Sequence, residues 1–266
     1  MSKRFGQNFL VNRGARERVF EELHSDPGSA VWEIGPGIGA MTALALERGA
    51  SLTAFEIDHG FARLLTEIFG EREAFRLVEG DFLRTWKSER AERGLPRRIF
   101  GNLPYSAANA IVADLLEEGA VPQRMVFTLQ KEAALRMAAR PGSKDYSAFS
   151  VLCTSACKVR LAFDLGASSF WPPPRVTSTV VVLEPRPDPV AADDRKGFSA
   201  FVRSAFSSRR KTLRNNLKAA RFPLGGDEEL LDATLLRLGI RPDIRAEALG
   251  PKELAAVYEG LRAGAL

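Results

Sequence analysis

The feature that most constrains the fold is the alternation of short β-rich runs with helical patterns over the first half of the chain. Such alternation predicts a mainly parallel sheet with helices on both faces, a Rossmann-like α/β arrangement. The predicted strands are Ala30–Ile34, Leu52–Ile57, Phe75–Glu79, Arg98–Gly101 and Met125–Leu129. The predicted helices are Ala15–Leu23, Ala40–Arg48, Gly60–Phe69, Ala107–Glu118 and Lys131–Ala139.

Two later runs, Val151–Leu161 and Thr177–Leu183, predict strands that add an antiparallel edge to this sheet. Three prolines between Glu184 and Asp194 then indicate a linker. We therefore expect a catalytic domain over residues 1–187 and a small helical domain over residues 188–266. The helical prediction rests on an apolar stripe at helical spacing, namely Phe198, Phe201, Val202, Ala205 and Phe206.

Composition narrows the class of protein. Hydrophobic residues make up 45% of the chain, and no apolar run approaches the length of a membrane span. The start of the sequence lacks the apolar stretch of a secretory signal. We expect a cytoplasmic, monomeric protein without a membrane partner. The two cysteines have no neighbouring Cys/His cluster, so no metal site is expected.

A glycine-rich turn, Glu33-Ile-Gly-Pro-Gly-Ile-Gly-Ala40, lies between the first predicted strand and helix. Such a turn lets a ligand approach the backbone closely. Glu56 ends the next strand and suits two ribose hydroxyls. The turn alone is compatible with NAD or S-adenosylmethionine. Asp81 and Asn102 follow two further strands, and together with Pro36 they favour S-adenosylmethionine. Two structural alternatives remain open: Asp81 as a simple turn former, and Glu33 as an acceptor for backbone amides of the turn.

The tetrapeptide Asn102-Leu103-Pro104-Tyr105 predicts the chemistry. The Asn102 amide oxygen and a backbone carbonyl of Leu103 or Pro104 can accept both hydrogens of an adenine amine, which turns its lone pair toward a methyl donor. Tyr105 would stack on the base, and Phe170 is a candidate for its opposite face. The alternative for both rings is core packing.

The net charge of +5 is compatible with a nucleic-acid partner, and its distribution matters more than its sum. Between Arg195 and Lys218 there are eight Lys or Arg residues and no Asp or Glu. A one-signed stretch of this length predicts contact with a polyanion, although a solvated helix face is the alternative.

Eight ordered blocks carry a family resemblance that spans nearly the whole chain. They are Phe5–Leu10, Glu33–Gly39, Glu56–Asp58, Gly80-Asp81, Gly101–Tyr105, Leu129–Glu132, Phe170–Val176 and Phe206–Leu217. The chain resembles the small-subunit ribosomal RNA adenine dimethyltransferases of the bacterial KsgA type. The resemblance implies S-adenosylmethionine as cofactor and two adjacent adenines near the 3′ end of 16S rRNA, within the small subunit or its precursor, as substrate.

The resemblance also implies roles for individual residues. The implied cofactor contacts are Asn8, Leu10, Gly35, Glu56, Asp81 and Asn102, to which the glycine-rich turn adds Gly37. The implied contacts with the target adenine are Asn102, Tyr105 and Phe170, and the acceptor argument adds Leu103 and Pro104 to these predicted catalytic residues. The implied RNA contacts are Arg209, Arg210, Lys211, Arg214 and Lys218. The chain departs from the family pattern at Ser106-Ala107-Ala108 and at Ser147, where glycine is common.

The sequence leaves other functions open. The nearest alternative is a large-subunit rRNA adenine methyltransferase of the macrolide-resistance type. The segment Phe206–Leu217 makes it less favoured, because this segment resembles the helical domain of the small-subunit enzymes. A DNA or protein amine methyltransferase would generally carry proline at the position of Leu103. A further alternative, from a different functional class, is an assembly factor that acts mainly by binding the small subunit. An NAD oxidoreductase would have no use for the Asn102–Tyr105 turn.

Overall fold

A computed structural model describes residues 8–104, 106–220, 222 and 228–264. In chain order its strands are β1 Phe9–Leu10, β2 Ala30–Ile34, β3 Ser51–Glu56, β4 Phe75–Glu79, β5 Arg98–Asn102, β6 Arg124–Gln130, β7 Cys157–Leu165, β8 Phe170–Trp171 and β9 Ser178–Pro185. Its helices are α1 Arg13–Glu21, α2 Ala40–Glu47, α3 His59–Phe69, α4 Phe82–Arg93, α5 Ala108–Glu117, α6 Lys131–Met137, α7 Ala148–Ala156, α8 Arg195–Ala205, α9 Leu213–Ala219, α10 Glu228–Arg237 and α11 Pro251–Gly264.

Seven strands form one mixed sheet in the order β4-β3-β2-β5-β6-β9-β7, and helices lie on both sides. The five strands from β4 to β6 are parallel, and β9 runs antiparallel to β6. The predicted fold class is therefore confirmed. Because β2 is bonded to β3 on one side and β5 on the other, the strand order reverses beside β2, which is where α/β sheets of this kind bind ligands.

One predicted strand is wrong. Residues 151–156 of the predicted strand Val151–Leu161 lie in a helix, α7, and only its second half, from Cys157 on, belongs to the strand β7. Ser147 starts the helix through a capping box with Ser150. Most of α7 is buried, so its apolar residues resemble those of a buried strand when periodicity alone is read. The prediction also omitted α4, whose N-cap is Asp81.

The chain forms two compact units. The first comprises Met1–Asp114, Ala120–Ala134 and Val159–Pro185 and carries the sheet, whose core includes Val31, Phe100 and Val180. The second comprises Leu115–Gly119, Leu135–Lys158 and Arg186–Leu266. Its core joins Val151 of α7 to apolar residues of the C-terminal helices, including Phe198, Phe201, Leu217, Leu235 and Tyr258. The second unit thus contains earlier segments in addition to the predicted helical tail.

The predicted apolar stripe of the tail lies on α8, where Phe198, Phe201, Val202 and Ala205 are buried. Among the described residues, no helix is both long enough and apolar enough to span a bilayer.

Candidate active site

The carboxyl ends of β2, β3 and β5 meet at the place where the strand order reverses. β2 leads into Gly35, β3 ends at Glu56 and β5 ends at Asn102. Because parallel strands end at the same edge of a sheet, the fold brings these predicted residues to one crevice. The location predicted from the order of strands and polar residues therefore exists in the structure.

The glycine-rich turn after β2 depends on backbone freedom at two predicted cofactor residues. Gly35 and Gly37 have φ values of 71° and 57°, a region that side chains with a Cβ rarely adopt. A Cβ on Gly37 would lie 2.7 Å from the Phe9 ring, so this ring covers the turn directly. Gly37 therefore serves two needs, the left-handed backbone and the close contact with β1.

Glu56 is buried at the base of the crevice, and its carboxylate holds the turn. Oε2 accepts from the backbone N–H of Gly37 at 2.9 Å, and Oε1 accepts from that of Asp58 at 2.9 Å. Burial raises the pKa of this carboxyl, while the backbone hydrogen bonds oppose the rise. A carboxylate has about four lone-pair sites, so acceptor capacity remains for ribose hydroxyls.

Glu33 is a second buried carboxyl near the turn. It accepts a hydrogen bond from the Thr42 hydroxyl at 2.7 Å, so its described partner is a side chain of α2 rather than the backbone amides anticipated from sequence. Burial raises the pKa of Glu33 to about 8, the Thr42 bond lowers it, and the nearby Glu56 carboxylate adds to the rise. Glu33 is therefore mostly protonated at neutral pH.

Asp81 is placed by α4. Its Oδ1 accepts from the backbone N–H of Leu83 at 3.0 Å and caps the helix. Asp81 thus has a structural role in the fold, although it is a helix cap and not the turn former that the sequence left open. The second carboxylate oxygen retains capacity to accept from a ligand amine, so capping and ligand binding are compatible.

The Asn102 side chain has a fixed orientation. Its Nδ2 donates to the backbone carbonyl of Asn8 at 2.6 Å. A carbonyl can only accept, so the amide nitrogen must face Asn8 and the amide oxygen must face away. The segment before β1 therefore presents Oδ1 of Asn102 as an acceptor, which is the orientation that an amine substrate requires.

The two backbone carbonyls beside Asn102 differ in availability. The carbonyl of Pro104 accepts from the N–H groups of Ala107 and Ala108, each at 3.0 Å, at the start of α5. Its two lone pairs are therefore occupied. Leu103 is buried and held by its N–H, which donates to the Thr128 carbonyl at 3.2 Å. Of the two carbonyls, that of Leu103 is the better candidate for the second acceptor.

Close packing of strands fixes the position of Asn102. A Cβ on the preceding residue, Gly101, would lie 2.5 Å from the carbonyl oxygen of Ile34 in β2. No side chain fits there without displacement of one strand.

Tyr105, the predicted stacking ring, lies outside the described residues.

Phe170 and Leu10 are paired in the two-stranded ladder β1–β8 and both face the core, where each is only 4% exposed. The Phe170 ring is therefore not an open stacking surface in this structure, and its stacking role stays a prediction. Leu10 offers little side-chain surface to a ligand. Asn8, which precedes β1, contacts Asn102 through its backbone carbonyl.

The five predicted RNA-binding cations divide into two groups. Arg209 pairs with Glu247 at 2.9 Å, Arg214 pairs with Glu228 at 2.7 Å, and Lys218 also pairs with Glu228. Arg210 and Lys211 are exposed and, within the part of the chain that the structure describes, form no ion pair. The predicted one-signed surface is thus partly neutralised by acids that lie outside residues 195–218.

Sequence reasoning missed residues that support the crevice from a distance. Phe9 covers Gly37, Thr42 bonds Glu33, and Thr128 supplies the carbonyl that holds Leu103. Phe9 and Thr128 carry no local signal for these roles, because the partner is set by the tertiary fold. Thr42 could have been anticipated, since a buried carboxyl needs a hydrogen-bond donor.

Comparisons with known proteins agree with this geometry. The sequence model of the ribosomal RNA adenine dimethylase family matches residues 1–249. The Ribosomal RNA small subunit methyltransferase A of Treponema denticola is 45% identical over 251 residues, which cover 94% of this chain and 85% of the relative.

Two crystal structures share the fold. A dimethyladenosine transferase from Plasmodium falciparum superposes with a TM-score of 0.78 at 21% identity, covering 97% of this chain and 98% of its own. The 23S rRNA methyltransferase ErmE superposes with a TM-score of 0.65 at 23% identity, covering 96% and 100%. Both identities are low, so these likenesses establish the fold, whereas the sequence match over most of the chain establishes the family. The chain belongs to the ribosomal RNA adenine dimethylases.

Proposed function

We propose that this protein transfers methyl groups to the N6 amines of two adjacent adenines in the 3′-terminal hairpin of 16S rRNA during biogenesis of the small ribosomal subunit. The observation that carries the proposal is the orientation of Asn102, whose amide nitrogen bonds the Asn8 carbonyl and whose oxygen is thereby left to accept from an amine. Relatives named for the small subunit favour this RNA over the large-subunit alternative.

The donor in this proposal is S-adenosylmethionine, which supplies a methyl group activated by a positively charged sulfur. The residues present fit it. Gly35 and Gly37 permit close approach to the backbone, Glu56 has acceptor capacity for ribose hydroxyls, and Asp81 has a carboxylate oxygen for the adenine amine. Asn8 and Leu10 would border the same ligand through the β1 segment.

Asn102 and Leu103 carry the chemistry of the acceptor. The Asn102 Oδ1 and the Leu103 carbonyl would each accept one hydrogen of the adenine amine. That arrangement withdraws the lone pair from the ring and directs it at the methyl carbon. Neither group needs to remove a proton, because the methylated amine is acidic enough to lose one to water. Orientation and electrostatics supply the acceleration, which explains how the site works without a strong general base.

The base itself would be held by stacking, with Tyr105 on one face and Phe170 as the candidate for the other. Phe170 is buried, so this second contact requires its side chain to turn out of the core.

The proposed functional division is a catalytic domain, residues 1–187, and an RNA-binding domain, residues 188–266. Five cations of the second domain would bind rRNA phosphates: Arg209, Arg210, Lys211, Arg214 and Lys218. Arg210 and Lys211 are available without rearrangement. The other three would exchange their carboxylates for phosphates, and the exchange is easy because exposed ion pairs are weak in water. Phosphate contacts position the RNA without identifying its bases.

We further propose that the protein acts in the cytoplasm as a monomer.

The test is a methyl-transfer assay with labelled S-adenosylmethionine and three acceptors: small ribosomal particles lacking adenine dimethylation, naked 16S rRNA and large-subunit rRNA. We expect label in the small-subunit RNA and preferentially in the particles. Label confined to large-subunit rRNA would overturn the proposed substrate. Binding to the particles without any transfer would instead support a factor that acts by binding alone.

A further inference from the structure

We propose that Trp171 is an RNA-stacking residue that holds the base of a nucleotide neighbouring the target adenine. The inference rests on the proposed function and adds to it a contact that neither the sequence motifs nor the catalytic geometry assigned. It begins with the difference between two adjacent aromatic residues in β8. Phe170 is 4% exposed, whereas Trp171 is 52% exposed.

The alternation of side chains along a strand explains this difference. Successive residues of a strand point to opposite faces, so the burial of Phe170 against Leu10 directs the Trp171 indole outward. Pulling Phe170 out to serve as a stacking ring would expose a large apolar side chain to water. Trp171 already offers its ring and requires no such change.

The ladder β1–β8 places Trp171 beside the crevice. Trp171 is the register partner of Phe9, and directly opposed residues in an antiparallel pair project to the same face about one strand spacing apart. The Phe9 ring in turn covers Gly37 of the glycine-rich turn. An exposed indole therefore borders the predicted cofactor site rather than a remote surface.

The same ladder indicates which base the indole would hold. Asn102 bonds the carbonyl of Asn8, and the next residue of that segment, Phe9, is the partner of Trp171. The β1 segment thus lies between Asn102 and Trp171. The base that bonds Asn102 and the base that stacks on the Trp171 indole must therefore be two different bases. Consecutive nucleotides of one RNA strand could occupy the two positions.

The chemistry of the surroundings fits RNA. Exposed aromatic rings stack on unpaired bases without regard to sequence, and arginine assists by contacting phosphates or base planes. Arg175, four residues after Trp171, is exposed. The intervening prolines, Pro172, Pro173 and Pro174, restrict the backbone that carries both side chains. The loop therefore presents an aromatic face and a cation on a stiff support.

Intrinsic fluorescence can test the contact directly. The chain has three tryptophans, and Trp32 and Trp86 are buried at 3% and 0% exposure. Quenching by an added RNA therefore reports on Trp171. We expect an unmethylated 16S 3′-terminal hairpin to quench the wild-type emission at concentrations where filter binding shows saturation. In Trp171→Phe the quenchable component should be lost while binding persists.

Kinetics provide the second arm. Trp171→Ala should raise the KM for small ribosomal particles by roughly ten- to a hundredfold, the range expected for loss of one stacked aromatic, with kcat changed less than about threefold. Trp171→Phe should restore most of the affinity. Leu236→Ala, which removes an apolar side chain that is 80% exposed elsewhere, is the matched control and should have no effect.

The inference would be overturned if Trp171→Ala kept the wild-type KM, or if tryptophan emission stayed unquenched in a saturated RNA complex. Either result would leave the proposed function intact as long as the wild-type protein transfers methyl groups. Absence of methyl transfer to any rRNA by the wild-type protein would instead contradict the proposed function itself.

Discussion

The crevice at the sheet edge and the basic surface of the C-terminal helices use polar residues in opposite ways. In the crevice, Glu56 and Asn102 are held by backbone groups that leave defined acceptor capacity for a ligand. On the basic surface, Arg214 and Lys218 share the carboxylate of Glu228. Polar groups fixed by the backbone are prepared for one ligand geometry, whereas exposed ion pairs can exchange partners.

This difference predicts unequal sensitivity to mutation. Removing a group from the crevice should abolish chemistry or disturb the fold, because each group has one orientation and one position. Removing a cation from the helices should alter affinity gradually, because phosphate attraction is summed over several charges. Four experiments test this contrast.

The largest effect is expected at Asn102. Replacement with Ala removes the acceptor presented to the amine and should lower kcat by about 100- to 1000-fold, as loss of one oriented hydrogen-bond group does in other active sites. Asn109→Ala, at an exposed position in α5, is the matched control. Retention of more than a tenth of wild-type kcat by Asn102→Ala would contradict the assigned role.

The second experiment concerns the strand that carries Asn102. Gly101→Ala would place a Cβ 2.5 Å from the Ile34 carbonyl and should lower the free energy of unfolding by about 3 kcal/mol. Gly166→Ala serves as control, because the nearest atom to its Cβ is 4.0 Å away. Denaturant unfolding measures both, and equal stability of the two variants would show that β5 can shift without penalty.

The third experiment uses the buried Glu33. Its pKa is raised to about 8 in the folded protein, so its contribution to stability is complete below the unfolded pKa near 4.5 and is lost as pH rises through 8. Between pH 5 and 7 the free energy of unfolding of the wild type should fall by about 2 kcal/mol relative to Glu33→Gln, which mimics the protonated form. Parallel pH profiles for the two proteins would show that Glu33 is ionised throughout.

The smallest effect is expected on the basic surface. Arg210→Ala with Lys211→Ala should weaken rRNA binding about tenfold at moderate salt and reduce the slope of log affinity against log salt by about 1.5, as expected for two lost phosphate contacts. Arg214→Ala with Lys218→Ala should have a smaller effect, because those cations already have carboxylate partners. Filter binding over a salt series measures the difference, and a reversed order would show that the ion pairs open fully on RNA.

The accuracy of the sequence predictions follows the same division. The parallel core and its strand-end residues could be predicted because glycines, strand patterns and polar residues at strand ends are local signals. The sequence could not distinguish the helix α7 from a strand, since most of the helix is buried and it therefore lacks the polar face of an amphipathic helix. The pairing of Arg209 with Glu247 could not be foreseen either, because the acid lies outside the one-signed stretch and reaches it only through the tertiary fold.

The contact between Asn8 and Asn102 illustrates the limit. Sequence reasoning selected both residues, but as separate ligand contacts. The structure adds that the backbone of one orients the side chain of the other. That relation joins positions 94 residues apart and has no local signature.

The role of Asn102 in methyl transfer can be tested by mass-spectrometric mapping of methyl groups on 16S rRNA. Unmethylated small ribosomal particles are incubated with S-adenosylmethionine and either the wild-type protein or Asn102→Ala. In an incubation just long enough for the wild type to finish, we predict two adjacent N6-dimethyladenines in the 3′-terminal hairpin with the wild type and almost none with the variant, although both proteins bind the particles. Methylation at other positions, or an unchanged pattern with Asn102→Ala, would contradict this prediction.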